Sequence, residues 1–414
     1  MKENSKIDFN ATDNIFAKTN YIKKAYKNRG VASADEAEML NLMASDLQAV
    51  ASSVERQNFD VYPKAFFGWV NISAILVLLS ALIYFFIPLF AFIMLVVAAA
   101  PFLYSVLFHK GLFDKLFKKE TAQNVFASVK PQAQTKARII FCANSDSLIK
   151  EQYNSFLGFW GNFAHITVCI LGYLSLLILV VARLFITKDI SFIIPNLIDN
   201  PIKIFTILGI VEVAIFIVPW LAMFFMINYN KVLPSAKCNI LGCETAIQLL
   251  ASCSDDAQLQ NIEVCTLLTG AKYFGLCGAK AWLKKNKEQL NLQKQDGIQT
   301  TFVVFDNFEN FENTKFELVN AQAKTSEFAC SLLQKMPQSS TASNAKKCYN
   351  MSDALVFANA GFECITASKT NLKLKDFAKN YKNDTTLITN QTLSGVLDVI
   401  QSAISAYDNN DCKD

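Results

Sequence analysis

The sequence is poor in histidine and in arginine. Its 414 residues include two histidines, His109 and His165, both at or inside long apolar segments. A zinc site or a cysteine nucleophile in the polar part of the chain would therefore lack the imidazole that such sites usually use. Arginine occurs at four positions and the net charge is +4. There is thus no dense basic stripe with interleaved aromatic residues, which argues against a nucleic-acid-binding protein.

Charged residues are missing from long stretches of the chain. Residues 65–108 contain no Asp, Glu, Lys or Arg. Because a membrane-spanning helix needs about 20 apolar residues, this stretch predicts two spans joined by a turn near Ile87. A second apolar region, 156–230, is interrupted by charges between Lys188 and Lys203. It predicts two more spans, near 160–186 and 204–228.

A secretory leader and a disulfide framework are also missing from the sequence. Residues 1–60 are polar and have no short apolar core near Met1, so we expect no cleavable signal peptide. The first apolar hairpin is then expected to act as the insertion signal. The 11 cysteines are an odd number and include no CxxC pair. We therefore expect buried free thiols in a reducing compartment.

Two transmembrane helical hairpins are predicted to interrupt one discontinuous polar domain. The hairpins are 65–108 and 159–230, the domain pieces are 1–64, 109–158 and 231–407, and a tail covers 408–414. Both hairpins leave and re-enter on one side, so the polar pieces share a compartment. Lysines cluster on that side, which predicts an integral plasma-membrane protein with its domain and both termini in the cytoplasm. These lysines are Lys64, Lys110, Lys115, Lys118, Lys119 and Lys231.

The polar pieces carry a mixed helix and strand pattern. The first piece is predicted to be mostly helical, whereas short apolar runs typical of strands alternate with helical periodicity in the rest. Strands are predicted at 137–142, 262–268, 301–306, 315–319 and 362–367, and helices near 240–253, 275–289, 323–335, 352–359 and 388–405. Such alternation predicts a sheet covered by helices on both faces, a three-layer α/β/α domain.

Five segments occur in the order found in a known family. They are RGVASADEAEMLNLMASDLQ at 29–48, FDVYPKAFFGW at 59–69, NVFASVKPQAQTKARIIFCANSDS at 124–147, PSAKCNILGCETAIQLLAS at 234–252 and TGAKYFGLCGAKAWL at 269–283. Together they resemble metallopeptidase family 28, the co-catalytic zinc exopeptidases related to aminopeptidase S and glutaminyl cyclases. A bacterial membrane-embedded branch of that family is the best match. The resemblance implies the zinc-exopeptidase fold, here interrupted by the two transmembrane hairpins.

Carried over position by position, the resemblance implies a degenerate metal site. The family's first loop reads histidine, any residue, aspartate, and this chain has Asn144, Ser145 and Asp146 there. The other positions are filled as follows: Cys238 for the bridging aspartate, Lys272 for the general-base glutamate, Tyr273 for a ligand glutamate, Asp306 for the fourth ligand, and Lys382 for the last histidine. Asp306 alone is a retained ligand.

The lost ligands predict a protein without the family's chemistry. A catalytic zinc needs about three protein ligands and an open position, so we expect no bound zinc and no other cofactor. The ammonium of Lys272 would also repel a cation. The sequence therefore predicts a catalytically inactive binding or scaffold module whose partners are the lipid bilayer and a membrane protein or peptide. Three alternatives stay open: a peptidase with an unusual metal site, a hydrolase that uses Cys238, and a transport role centred on Glu212.

Several single side chains have two interpretations. Cys238 is either a buried inert thiol, which we favour because no histidine base is available, or a reactive one. Asp146 is predicted to cap a helix that begins at Ser147. Asp306 either pairs with Lys272 or is a solvated acid at a strand end. Lys272 and its neighbour Tyr273 either bind an anionic group or simply fill a pocket that once held cations.

Glu212 lies inside the fourth predicted span. An acid at membrane depth costs about 2.5–3.5 kcal/mol on insertion scales and is usually paired or functional. Arg183, near the far end of the third span, is the predicted partner of Glu212. The alternative is a glutamate that is protonated or reaches toward the membrane surface.

Overall fold

The protein is built around a seven-stranded sheet. A computed structural model describes residues 9–66, 68–108, 114–147, 149–151, 153, 159–188, 202–232, 240–255, 259–306, 314–319, 325–335, 352–369 and 390–410. The strands are β1 Ser53–Val61, β2 Glu120–Val129, β3 Ala137–Asn144, β4 Ile149–Glu151, β5 Ile227–Val232, β6 Ile262–Thr269, β7 Gln299–Asp306, β8 Thr314–Leu318 and β9 Glu363–Lys369. The main sheet has the order β1-β2-β6-β3-β7-β9-β8, while β4 and β5 form a separate antiparallel ribbon.

The middle of the main sheet is parallel and its edges are antiparallel. β6, β3, β7 and β9 run in one direction. β2 and β1 extend one edge and β8 closes the other, all by antiparallel pairing. In register, Asn144 lies opposite Thr269, and Asp306 lies opposite Ser368. The carboxyl ends of the parallel strands therefore meet at one edge of the sheet.

Helices cover both faces of the sheet. The helices are α1 Phe9–Ala25, α2 Ala34–Val50, α3 Pro63–Phe66, α4 Gly68–Ile83, α5 Pro88–Phe108, α6 Phe159–Thr187, α7 Ile202–Ala222, α8 Ile240–Asp255, α9 Cys277–Gln295, α10 Glu327–Lys335, α11 Ala354–Asn359 and α12 Asn390–Asn409. One face packs against α1, α2, α8, α10 and α12, and the other against α9 and α11. The polar part of the chain is thus a mixed α/β fold of three layers.

The alternation of side chains along β3 shows how the two cores form. Ile139 and Phe141 belong to one core, whereas Ile140 and Cys142 belong to the other. Successive side chains of a strand point to opposite faces. Because both faces of β3 are covered, the strand is an almost continuous apolar run, which is why the sequence pattern could identify it.

The apolar helices α4–α7 pack around a core of their own. Over Trp160–Thr187 and Ile202–Phe225, α6 and α7 are long and apolar enough to cross a membrane, by length and composition. α4 has 16 residues; in α5, the apolar stretch found among the described side chains is Pro88–Pro101. The expectation of four spans is therefore supported for α6 and α7 only.

Buried polar side chains tie the apolar helices to one another. Ser80 Oγ donates to the carbonyl of Ala91 at 2.8 Å, which joins α4 to α5. Tyr84 Oη donates to the carbonyl of Phe205 at 2.8 Å, which joins the end of α4 to α7. In an apolar surrounding, each such group needs a partner, so the first bond fixes the α4–α5 hairpin and the second links that hairpin to the other.

The strands and helices predicted for the second and third polar pieces are present, with ends shifted by a few residues. The first piece differs from its prediction, because it contributes the nine-residue strand β1 in addition to helices. β1 is a half-exposed edge strand without a clear apolar run, so its pairing with β2 decides its structure. Strands from all three polar pieces join one sheet; the domain boundaries themselves stay predictions.

Candidate functional site

Three of the aligned positions meet at the carboxyl edge of the parallel strands. Asn144 ends β3, Asp306 ends β7, and Lys272 begins the 3-10 turn Lys272–Phe274 that follows β6. β3 lies between β6 and β7 in the sheet. After β3, the chain adds β6 on one side of this strand and β7 on the other. The carboxyl edge between strands added on opposite sides is where open α/β sheets place their ligand sites.

The ammonium of Lys272 is the centre of the cluster. Its Nζ donates to Oδ1 of Asp306 in a direct ion pair and to Oδ1 of Asn144 at 3.5 Å. Lys272 is 2% exposed and Asp306 is 4% exposed. Burial alone would lower the pKa of Lys272, but the carboxylate of Asp306 raises it above its ordinary value. The group therefore stays charged at neutral pH, and of the two interpretations of Asp306 the ion pair is confirmed.

Asp146 holds the turn that carries Tyr273. Its Oδ2 accepts a hydrogen bond from the backbone N–H of Tyr273 at 3.1 Å, and its Oδ1 accepts from Nδ2 of Asn144 at 3.1 Å. The expectation that Asp146 caps a helix beginning at Ser147 is wrong, because the chain continues as strand β4. Its carboxylate is satisfied by a loop distant in sequence, which local spacing could not reveal.

Glu36 of α2 supports the same loop from the helical layer. Its Oε1 lies 2.8 Å from Oγ of Ser145, and its Oε2 accepts from the backbone N–H of Ala32 at 2.8 Å. Burial, and then the nearby carboxylate of Asp146, raise the pKa of Glu36 to about 8. Burial raises the pKa of Asp146 as well. Glu36 is therefore largely protonated at neutral pH.

Asp353, just before α11, is a further buried acid at this edge. Its Oδ2 accepts from Oγ1 of Thr269 at 2.5 Å, while its Oδ1 has no hydrogen-bond partner among the described residues. Burial raises the pKa of Asp353 to about 6, although Lys272 and the hydrogen bond from Thr269 oppose this shift. Asp353 is thus mostly ionised at neutral pH and adds negative charge around Lys272.

Sequence reasoning missed both Glu36 and Asp353. A signal existed for Glu36, because Ser33 and Glu36 have the spacing of a capping box, and Ser33 Oγ does accept from the N–H of Glu36 at 3.2 Å. Asp353 had no such signal. It stands alone before a short helix, and only the sheet order brings it next to Thr269.

The turn after β6 is fixed by unusual backbone geometry. Ala271 and Leu276 have φ values of 55° and 59°, a region that residues other than glycine rarely adopt. A Cβ on Gly278 would lie 2.2 Å from the carbonyl oxygen of Gly270, so this close approach requires glycine. Asn124 of β2 joins the two segments, since it accepts from the N–H of Gly270 at 3.1 Å and donates to the carbonyl of Gly278 at 2.9 Å.

The same turn packs against the segments that enter and leave the apolar helices. Ala271 and Phe274 share a buried cluster with Val61, the last residue of β1, which precedes α3 and α4. Ile227, the first residue of β5 after α7, packs against that cluster. The candidate site therefore lies beside the base of the apolar helices.

Glu212 and Arg183 both lie in the apolar helices, on α7 and α6. Oε1 of Glu212 accepts from Oγ of Ser175 at 2.7 Å. Nη1 of Arg183 donates to the carbonyl of Tyr84 at 2.6 Å, and its guanidinium lies 5.0 Å from the centroid of the Tyr84 ring. The structure thus gives Glu212 a partner that the sequence did not suggest, and its pairing with Arg183 stays a prediction.

The described side chains do not fit a zinc ion. Within the described ranges, no three His, Cys, Asp or Glu side chains are grouped so that they could hold a metal. At the aligned positions, the carboxylate of Asp306 is already bound to the ammonium of Lys272. Cys238 and Lys382 lie outside the described residues, so their roles stay predictions.

Solved structures share the fold of this chain over nearly its whole length. A zinc aminopeptidase from Bacillus subtilis has a TM-score of 0.52 at 10% identity, over 99% of this chain and 96% of that one. A Zn-dependent exopeptidase from Parabacteroides distasonis has a TM-score of 0.52 at 12% identity, over 97% and 99% of the two chains. A glutaminyl cyclase from Fimbriiglobus ruber has a TM-score of 0.51 at 10% identity, over 98% and 97%.

Sequence comparison adds nothing to this likeness, because no family model and no curated protein matches the chain. At identities near 10%, structural similarity shows a shared architecture and not a shared activity. The chain shares the fold of zinc exopeptidases and glutaminyl cyclases.

Proposed function

We propose that this protein is a catalytically inactive, zinc-exopeptidase-like membrane protein that acts as a binding or scaffold module. The observation that carries the proposal is the buried ion pair of Lys272 with Asp306. A general base must take a proton from water, and an ammonium whose pKa is raised cannot do so. The same ammonium neutralises the one aligned carboxylate that could serve as a metal ligand.

We further propose that α4–α7 lie in a bacterial plasma membrane as two hairpins, with the sheet domain and both termini in the cytoplasm. The hydropathy and length of α6 and α7 support this placement. So do the large apolar side chains exposed on the outer faces of all four helices, such as Leu82, Ile93, Ile178 and Ile215. A surface of this kind is suited to lipid and not to water.

The partner of such a module is proposed to be a peptide or a membrane protein. Structural neighbours include enzymes named aminopeptidase and exopeptidase. These names imply peptide substrates for those proteins, and a peptide is therefore the proposed ligand class here. The site turn contacts the cluster that includes Val61 and Ile227 at the base of the apolar helices. A partner bound at the site would therefore touch elements that are connected to the membrane part.

Metal content and peptidase activity test the proposal. The chain purified without chelators is expected to carry no stoichiometric zinc and to cleave no aminoacyl substrate, because the base position is Lys272 and loss of the base alone costs a factor of about 10²–10⁴. One or two zinc ions per chain, together with chelator-sensitive cleavage that Asp306→Ala abolishes, would replace the proposal with an active metallopeptidase. Asp60→Ala, which removes an exposed acid, is the matched control.

A transport-related role is a second candidate, favoured by the half-buried carboxyl group of Glu212 on the apolar helix α7. Its hydrogen bond with Ser175 links α7 to α6, and intramembrane acids often mark ion pathways. If this role is correct, Glu212→Gln abolishes the cellular phenotype of the protein while its amount in the membrane stays unchanged. A phenotype that follows Lys272 or Asp306 variants instead would favour the binding module.

A further inference from the structure

Glu212 places a carboxyl group on the outer surface of the apolar helices. It is the eleventh of the 21 residues of α7, so roughly 15 Å of helix separates it from either end. The side chain is only half-buried. Large exposed apolar side chains flank it on α7 and flank its partner Ser175 on α6; they are Leu208, Val211 and Ile215, and Leu171, Leu174 and Ile178. In the membrane placement proposed above, this face meets lipid chains.

One oxygen of this carboxyl group is available to a partner. Oε1 accepts from Oγ of Ser175 at 2.7 Å. Within the described part of the chain, Oε2 has no hydrogen bond, and it keeps accessible surface. Lipid chains offer no hydrogen-bonding group, and the headgroups are too far from the middle of α7 for a glutamate side chain to reach. A polar group of a protein chain is therefore expected to cover Oε2, as polar side chains join helices in membranes.

Symmetry favours a second copy of this chain as the source of that polar group. Copies inserted in one orientation are related by a two-fold axis along the membrane normal, which places identical residues at identical depth. A neutral carboxyl group has one O–H donor and one carbonyl acceptor, so it is complementary to itself. A different protein would need its own polar group at this depth, whereas a second copy supplies it by symmetry.

The charges of the two helices agree with a pair of neutral carboxyl groups. Among Asp, Glu, Lys and Arg, α6 contains Arg183 and α7 contains Lys203 and Glu212. Arg183 is 0% exposed, so it is not presented to a neighbouring copy. Lys203 lies roughly 14 Å from Glu212 along the helix. With no cation at the matching depth of the outer face, the neutral form is favoured, because a charge in the bilayer centre is costly.

We propose that two copies of the protein associate in the bilayer through the α6–α7 face, with the two Glu212 carboxyl groups in a reciprocal pair of hydrogen bonds across a two-fold axis. Leu208 and Ile215, one turn before and after Glu212, pack around this pair. The proposal rests on the membrane placement of α4–α7. The dimer holds two sheet domains on the same side of the membrane and so makes the proposed binding module bivalent.

Energy transfer between differently labelled chains in liposomes tests the proposal. The full chain is fused at its carboxyl terminus to a donor or an acceptor fluorescent protein, and transfer is measured as the protein is diluted with lipid. Wild type is expected to associate. Glu212→Leu removes both oxygens and is expected to weaken association about tenfold, because two hydrogen bonds of average strength in membranes are lost. Glu212→Gln, whose amide is also donor and acceptor, keeps most of the association.

Thr206→Val is the matched control on α7, because the hydroxyl of Thr206 donates to the carbonyl of Ile202 in its own helix at 3.0 Å. It is expected to associate like wild type. Equal association of wild type and Glu212→Leu would overturn the carboxyl pair. Wild type that stays monomeric at every lipid ratio would overturn the second copy, and crosslinking of wild type but not Glu212→Leu to a different protein in native membranes would then assign the face to that protein.

Disulfide crosslinking locates the contact without changing Glu212. Ile215→Cys is expected to form a disulfide with its copy when isolated membranes are oxidised with copper phenanthroline, since such a bond needs Cα atoms within about 7 Å. Leu82→Cys on α4 is the control, because Leu82 is 59% exposed and Ile215 is 58% exposed. No more crosslinked dimer with Ile215→Cys than with Leu82→Cys would overturn the location of the contact.

Membrane extraction with alkaline carbonate separates failure of this inference from failure of the proposed function. A chain that carbonate removes from membranes is not integral, and the membrane placement then fails together with the dimer. A chain that resists carbonate but stays monomeric overturns the dimer alone.

Discussion

At the scale of single residues, this protein concentrates ionisable groups where little water reaches them. Glu36, Asp146, Asp306 and Asp353 are each at most 4% exposed. Each of these groups is electrostatically coupled to Lys272 or to another acid of the set. Because an unpaired buried charge is strongly unfavourable, the folded state depends on which of them carry protons and on the one ammonium among them.

Removing the ammonium of Lys272 is expected to be severe. Lys272→Met leaves the carboxylate of Asp306 buried without its partner, and breaking a buried pair in this way costs about 3–5 kcal/mol. Lys285→Met breaks an ion pair with Glu55 whose side chains are 48% and 52% exposed, and is expected to cost less than about 1 kcal/mol. Thermal unfolding in detergent compares the two variants.

The double variant Lys272→Met, Asp306→Leu checks the cause of that loss. Replacing both members of a buried pair by apolar residues is often close to neutral, so most of the lost stability is expected to return. A double variant as unstable as Lys272→Met would show that packing around Lys272, and not the charge of Asp306, is responsible.

Glu36 predicts a pH dependence of stability. Because its folded-state pKa is raised to about 8 from an ordinary value of 4.5, the folded protein binds a proton that the unfolded chain releases. The contribution of Glu36 is therefore fully present below about pH 4.5 and is lost as the pH rises through about 8. Glu36→Gln keeps a donor and an acceptor for Ser145 and Ala32 without this titration.

The free energy of unfolding of wild type is expected to fall relative to Glu36→Gln by about 4 kcal/mol between pH 5 and pH 9, at 1.36 kcal/mol per pKa unit. Glu38→Gln, on the exposed side of the same helix, is the control and is expected to follow wild type. The charges nearest Glu36 are Asp146 and Arg29, and they are unchanged in both variants. A constant difference between wild type and Glu36→Gln across this range would contradict the assignment.

At the scale of secondary structure elements, α6 and α7 are joined by an acid in an apolar setting. Glu212 on α7 contacts Ser175 on α6, whereas the sequence pairs it with Arg183. Residues that share one interaction give non-additive double variants, whereas independent residues give additive ones. The contact of Glu212 with Ser175 and its pairing with Arg183 can therefore be tested by separate double variants. We expect coupling of Glu212→Leu, which removes the acceptor, with Ser175→Ala of about 0.6 kcal/mol, the average for such bonds in membranes.

Stability in lipid bicelles measures both cycles. If the charge pair also forms, the double variant of Glu212→Gln with Arg183→Gln loses less stability than the sum of the single variants. Strict additivity of that pair would rule out direct contact between Glu212 and Arg183.

The turn after β6 connects the sheet layer to the apolar helices. Asn124 holds Gly270 and Gly278 together, and Ala271 and Phe274 pack on the cluster that includes Val61. The position of Lys272 is therefore set by β2, by β6 and by the segment that leads into α4. This arrangement explains how the ammonium is held against Asp306 in a buried position.

At the scale of the whole molecule, the proposed topology places both ends of the chain in the cytoplasm. An impermeant thiol reagent applied to intact cells is expected to miss Cys412, because the lysine distribution predicts a cytoplasmic carboxyl terminus. Asn196→Cys, between α6 and α7, is the positive control and is expected to react from outside. Labelling of Cys412 without permeabilisation would reverse the orientation.

A good part of the fold could be predicted from the sequence. β3, β6 and β7 are largely apolar runs because both of their faces are covered, and the helices near them have clear periodicity. β1 could not be predicted, because an edge strand such as Ser53–Val61 has few buried side chains and is defined by its pairing with β2. Four spans were expected, whereas length and composition support two.

The candidate site was predictable only where an aligned segment supplied the position. Lys272, Asn144 and Asp306 were placed in this way, and the structure brings them together. The prediction that Asp146 caps a helix was wrong, because its partner is the backbone N–H of Tyr273, which lies in the turn after another strand. Glu36 and Asp353 were missed, because the capping-box spacing of Ser33 and Glu36 indicates a helix start and not a site, and nothing near Asp353 in the sequence points to a site.

The sequence by itself determined where the apolar helices and the central strands lie, because burial leaves a periodic pattern that can be read locally. It also determined that a lysine, Lys272, stands where the family resemblance aligns the general base. Only the tertiary structure decided that this lysine is buried against Asp306, that Glu36 and Asp353 join it, and that Glu212 contacts Ser175. These contacts depend on strand order and helix packing, which bring together residues far apart in the chain and leave no local pattern.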